Sequence, residues 1–195
     1  LAHCVEALYS INRNPLSTAA ALSGIKTIAG SLLRCYQHGD DLEARTTMLI
    51  GANLGGQSLA TVKMGLHHGT CHVLGGTAGV AHGVANAIVL PHAMRFNLDT
   101  ADGIGIAPMI ALVGEAMEVS VRRDGVNDEE IGEMAAQAVY DLVAQMGLLQ
   151  RLRDVGISED MLPMLAENML KSKAVQDNPK PVTLDGALGL LRAAW

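Results

Sequence analysis

The chain of 195 residues has few aromatic side chains: Tyr9, Tyr36, Phe96, Tyr140 and Trp195 are all of them. Its apolar mass therefore comes from Ala, Leu, Val, Ile and Met, the residues that fill contacts between helices. That balance disfavours a β-sandwich or barrel, which leans on aromatic and β-branched residues. No basic run exists, and 14 cationic against 20 acidic side chains leave a net charge of −6. Nucleic acid and anionic membrane surfaces are thereby excluded as partners, since both require clustered Lys and Arg. Only three cysteines occur (Cys4, Cys35 and Cys71), with no CxxC among them. That excludes a disulfide framework and a cysteine-based zinc module, and it fits a reducing cytoplasm. No signal or transit segment is visible. HExxH, the P-loop and GxGxxG are also missing.

One absence is local. Between Lys63 and Arg95 there is no Asp, Glu, Lys or Arg, a run of 31 residues from Met64 to Met94. By length it matches a membrane span. It holds five of the seven histidines (His67, His68, His72, His82 and His92) and six glycines, and histidine is expensive in hydrocarbon. A buried functional segment is the expected reading.

What is present is helical periodicity. Leu1, Val5 and Leu8 share one face. Helices are expected from Pro15 to about Tyr36, from Asp40 or Asp41 to about Met64, and from Gly65 to Gly79. Others are expected from His82 to Phe96, with a kink or break at Pro91, and over Pro108–Glu118 and Asp128–Met146. Ser158–Lys171 and Thr183–Trp195 complete the set. Gly39 is expected to close the second helix, and Asn127, Ser158 and Thr183 to act as N-caps. Leu98–Gly105 and Ser172–Val182 are the least regular stretches. Gly51, Gly55 and Gly56 inside a helix point to close helix packing. No alternating strand and no internal repeat are evident, and one domain spanning residues 1–195 is expected. LAHCVEALYS reads as a helix interior, so an upstream continuation of the chain is expected.

His68 and His72 stand four apart, hence on one helical face. His82 follows fourteen residues after His68, and the GGTAG turn at Gly75–Gly79 delivers it. Imidazole is the commonest protein ligand of divalent transition metals. Histidines gathered in a segment free of charge point to a metal or proton-transfer site with apolar walls.

The run MGLHHGTCHVLGGTAGVAHGVANAIVLPHAMRFN, Met64–Asn97, resembles the signature of the iron-containing alcohol dehydrogenase family. LAHCVEALYS and NPKPVTLDGALGLLRAAW extend the resemblance over nearly the whole chain. It implies an all-α fold, the metal-binding helical C-terminal domain of such enzymes, with the N-terminal α/β domain that binds NAD(P) lying outside this chain. It also implies His3, His68 and His82 as ligands of Fe²⁺ or Zn²⁺. The family's fourth ligand, an Asp four positions before His3, falls upstream of Leu1. His72 aligns with a histidine of proton handling near nicotinamide and substrate. Where the metal is dispensable, His67 and His72 would polarise the carbonyl. His92 is expected to be structural and His38 solvated.

Met64–His68 with Cys71–Gly76 looks like the maleylacetate reductase branch, which need not use a metal. Gly83–Ala87 and Met94–Asn97 look like the metal-using alcohol dehydrogenases, and Ala81 departs from the proline often found before the last ligand. The resemblance implies hydride transfer between NAD(P) and a small alcohol or carbonyl substrate, with a homodimer the one protein assembly allowed for. The alternative is a helical metal-binding or interaction module with no catalysis of its own.

Overall fold

A computed structural model describes residues 1–98, 106–119, 125–148 and 151–195. Among these residues every regular element is helical. The irregular stretch expected over Leu98–Gly105 lies, beyond Leu98 itself, outside them.

Three helices open the chain: α1 (Ala2–Tyr9), α2 (Pro15–Gln37) and α3 (Leu42–Thr61). Asn14 starts α2 through a capping box. Its Oδ1 accepts the N–H groups of Leu16 and Ser17, each at 3.0 Å, while the Ser17 hydroxyl accepts the Asn14 N–H. Pro15, with its fixed φ, fills the first helical position. Asp41 caps α3 by accepting the Ala44 N–H at 3.0 Å. Gly39 plays no capping part: α2 ends at His38 with φ −131°, and Gly39 is not left-handed. α2 and α3 form an antiparallel pair whose approach depends on small residues. A Cβ on Gly51 would lie 2.7 Å from Ile28 Cγ1 and 3.2 Å from the Ile28 backbone nitrogen. Gly56, by contrast, faces open space, so the packing reading holds for Gly51 and not for Gly56.

α4 (Leu66–Ala78) and α5 (His82–Leu98) follow. Gly79 ends α4 at φ +70°. Its N–H bonds the Gly75 carbonyl at 3.1 Å, the bond of an αL C-cap, and the Val80 N–H bonds the Leu74 carbonyl at 3.3 Å. The left-handed position that glycine favours is thus Gly79, in the expected turn. α5 runs unbroken through Pro91, which leaves the Ala87 carbonyl without its helical donor.

α6 (Ala107–Ala116) and α7 (Asp128–Gln145) come next. Asn127 and Glu130 form the capping box of α7, with acidic residues in its first turn as the helix dipole prefers. Two 3₁₀ turns, Leu152–Val155 and Glu159–Met161, precede α8 (Leu162–Lys171). Ser158 does not cap a helix; its hydroxyl bonds the Asp160 carboxylate, and α8 begins later, with Pro163 in its first turn. α9 (Lys173–Gln176) is a single turn inside the stretch expected to be irregular. α10 (Leu184–Ala194) is capped by Thr183 Oγ1, which accepts the Gly186 N–H at 3.1 Å.

The apolar interior falls into two clusters joined by α5. Ile88, Val89 and Ala93 face one cluster, with Leu74, Leu165, Met169 and Leu191. Leu90, Met94 and Leu98 face the other, with Leu8, Ile25, Ile110 and Val139. Each fully buried Leu, Ile or Met contributes roughly 1.5–3 kcal/mol. Burial on two sides leaves α5 little surface for charge before Arg95. Much of the charge-free run is therefore core. It is also two helices with a turn between them rather than one span. Among the described residues only α2 is long and apolar enough to cross a membrane, a test that core helices also pass. Its Ser17, Ala21, Gly24, Ile25 and Ile28 are buried within the protein.

Candidate metal centre

Three elements meet where the two clusters adjoin. α1 brings His3 and Glu6, one turn apart. α4 brings His67 and His68 in its first turn and His72 one turn later. α5 brings His82 at its first position. The His68 ring lies at the middle of the group. Its centre is 4.6 Å from that of His3, 4.8 Å from His67, 6.2 Å from His82 and 6.4 Å from His72. His72 and His82 are 5.6 Å apart. His67 and His68 are buried, His3 is half-buried, and His72 and His82 are exposed. The cluster thus rises from a buried floor to an open rim. His92 is ten residues further along α5 and half-buried, and His38 is exposed at the end of α2; neither ring packs against the group.

Beneath the histidines is Glu6, fully buried, which the sequence reading overlooked. Its Oε1 accepts the backbone N–H groups of Gly65 and His67, each at 3.0 Å, and the Tyr9 hydroxyl at 3.2 Å. Its Oε2 accepts the His68 N–H at 3.2 Å and bonds His68 Nδ1. Asn178 Oδ1 takes the remaining first-turn donor, the Leu66 N–H, at 3.3 Å. Helix starts leave such donors unpaired and carry partial positive charge, so a carboxylate there is doubly favoured. One signal was available: the LHHG start of α4 has glycine before it and no Ser, Thr, Asp or Asn cap, so its acceptor had to come from elsewhere.

Burial by itself raises the Glu6 carboxyl pKa. Bonds from the His68 ring and backbone, with His67 nearby, outweigh it and hold the group below the usual carboxylate range. Burial lowers His67 to about 4 in spite of Glu6. His3 is lowered to about 4 by burial and then by the adjacent His68. His72 is lowered by burial and by the His68 and His82 rings. These imidazoles are neutral at pH 7, the form that binds a metal.

Glu6, His67 and His68 offer ligand atoms all within 4.8 Å of one another, a buried group consistent with metal binding. Five donors already crowd the Glu6 carboxylate, however, leaving it no lone pair for an ion. His67 is also engaged at both ring nitrogens: Nδ1 lies 3.2 Å from His68 Nδ1, and Nε2 lies 3.3 Å from the Asn86 carbonyl and 3.6 Å from Cys71 Sγ. His67, expected from the sequence to polarise the carbonyl where the metal is dispensable, is fully buried in this structure. What remains open is His68 Nε2, on the ring edge away from Glu6. It is buried and has no hydrogen-bond partner among the described residues. A buried nitrogen without a partner calls for explanation, and a divalent ion shared with nearby neutral imidazoles fits it.

Residues 1–195 match the Fe-containing alcohol dehydrogenase family, C-terminal. The chain is 36% identical over 180 residues to the 1,3-propanediol dehydrogenase of Citrobacter freundii, covering 92% of this chain and 45% of that protein. It is 34% identical over 195 residues to the maleylacetate reductase of Pseudomonas knackmussii, covering 100% and 50%. An alcohol dehydrogenase structure from Oenococcus oeni superposes with a TM-score of 0.90 at 27% identity, covering 100% of this chain and 49% of that one. The chain spans about half the length of the curated relatives it matches.

Proposed function

The chain belongs to the Fe-containing alcohol dehydrogenase family, and from that premise we propose that it forms the metal-bearing half of an NAD(P)-dependent oxidoreductase. The reaction is hydride transfer between the nicotinamide and a small alcohol or its carbonyl. NAD(P) is held mainly by the other half, since this chain spans about half of its relatives.

His3, His68 and His82 would hold the ion, Fe²⁺ or Zn²⁺. Bound there, it supplies Lewis-acid polarisation of the substrate oxygen. The observation that carries this reading is the unpartnered His68 Nε2 at the centre of the ring cluster. His72, exposed at the rim 5.6 Å from His82, takes up or delivers the hydroxyl proton. His67 keeps His68 in place and is given no contact with substrate. The apolar packing of α4 and α5 lowers the local dielectric and strengthens these interactions. All three cysteines are free, in keeping with a cytoplasmic setting.

A finer reading, maleylacetate reductase, draws on Met64–His68 and Cys71–Gly76; similarity to a 1,3-propanediol dehydrogenase at 36% speaks for the alcohol branch. The experiment is NAD(P)H oxidation by the full-length protein with aldehydes and with maleylacetate, alongside metal analysis. Turnover that survives complete metal removal would exclude the Lewis-acid role. A full-length protein that binds metal but turns over none of these substrates would favour the second reading, a helical metal-binding module without catalysis of its own.

A further inference from the structure

The donor and acceptor pattern under the cluster goes one step beyond this function. We infer that Glu6 and His67 are positioning residues that fix the tautomer of His68, holding its proton on Nδ1 and leaving the Nε2 lone pair for the ion. The inference rests on the reading above that His68 is a metal ligand.

The chain of bonds runs in one direction. The Asn86 carbonyl can only accept, so His67 Nε2, 3.3 Å away, is the protonated nitrogen of its ring. His67 Nδ1 is then a lone pair, and it lies 3.2 Å from His68 Nδ1. Glu6 Oε2 bonds the same His68 nitrogen. Two acceptors thus converge on His68 Nδ1, which must carry the proton to satisfy either. Nε2 is left as the acceptor, in the buried position where no group among the described residues uses it. A ligating histidine whose other nitrogen donates to a carboxylate is more basic and better oriented. Glu6 gains rigidity from the opposite side, because Gly65, His67 and Tyr9 pin its Oε1. The carboxylate that caps α4 is therefore the one that orients the ligand, and α1 couples His3 to His68 through a residue three positions on.

Glu6→Gln keeps the part of the cap made by Oε1 and changes the group that faces His68, whose own backbone N–H loses its acceptor. Three donors converge on Oε1, so the glutamine oxygen belongs there and its amide NH₂ faces His68. His68 Nδ1 must then accept, its proton moves to Nε2, and the lone pair for the ion is lost. In the full-length protein, Zn²⁺ affinity measured by chelator competition should fall roughly 10–100-fold in E6Q. The ¹⁵N shifts of the His68 ring in metal-free protein should show Nδ1–H in the wild type and Nε2–H in E6Q. A folded E6Q with wild-type Zn²⁺ affinity overturns the inference, as does an Nε2–H tautomer in the metal-free wild type. The wild-type spectrum decides the matter even where E6Q does not fold. His68→Ala distinguishes the two levels. If it loses Zn²⁺ while E6Q keeps it, only the role of Glu6 falls; if it binds Zn²⁺ as the wild type does, the metal reading falls as well.

Discussion

Glu6 Oε1 stands 3.0 Å from the backbone nitrogen of His67, sixty-one residues further along the chain. That contact ties the first helix to the start of the fourth. It is a buried carboxylate's answer to a helix with no cap of its own, and it sets the height of every α4 histidine relative to His3.

Removing the carboxylate should be costly. Glu6→Ala leaves the Gly65, His67 and His68 N–H groups and the Tyr9 hydroxyl without their acceptor. With each buried donor left unsatisfied costing about 1–3 kcal/mol, the loss should be about 3–5 kcal/mol. Urea denaturation of the metal-free full-length protein should register a loss of that size; a loss under about 1 kcal/mol would show that water replaces the carboxylate.

Two glycines of α3 should respond oppositely. Gly51→Ala drives a methyl against the side chain and backbone of Ile28 and should destabilise by about 1–3 kcal/mol. Gly56→Ala meets open space in an exposed helical position and should stabilise by up to about 1 kcal/mol, the propensity difference between the two residues. Thermal melts of the two variants test the helix contact directly.

Acid should weaken the fold through His92. Burial, and then Arg95, hold its pKa at about 4 against 6.5 unfolded. Below pH 6.5 the unfolded chain therefore binds a proton that the folded chain refuses. Stability from this group is complete above about pH 6.5 and declines as pH falls toward 4. With a discount for partial exposure, the decline is on the order of 1–2 kcal/mol. Melts of metal-free protein between pH 7 and 4.5 should fall less steeply for His92→Gln than for wild type.

His72→Ala should slow turnover of the full-length enzyme by roughly 10²–10⁴-fold, the usual worth of a positioned acid or base. Because the side chain is exposed, Tm should change little. Unchanged kcat would remove His72 from the reaction.

Much of this was legible along the chain, and the exceptions are instructive. Asn127 and Thr183 cap helices as their positions imply, and Asp41 is the cap of the two acidic residues offered for α3, because a cap reaches only two or three residues. The i, i+4 spacing of His68 and His72 and the GGTAG turn likewise brought the histidines together through local geometry. Ser158 failed as a cap because Asp160, two residues on, competes for its hydroxyl. Gly39 failed because His38 leaves the helix in a conformation any residue adopts. Glu6 was not legible as part of the site: its five donors come from α1 and from residues nearly sixty or more positions away. The charge gap changed meaning as well, since two-sided burial of α5 accounts for much of it without reference to any site.

The central claim is that an ion sits on His68 Nε2, shared with His3 and His82. Anomalous diffraction at the zinc edge, from crystals of the full-length protein loaded with Zn²⁺, tests it most directly. The account predicts one peak about 2.0–2.1 Å from His68 Nε2 and from nitrogens of His3 and His82, with Glu6 outside bonding distance. A peak bonded to the Glu6 carboxylate, or no peak within the histidine cluster, would contradict it.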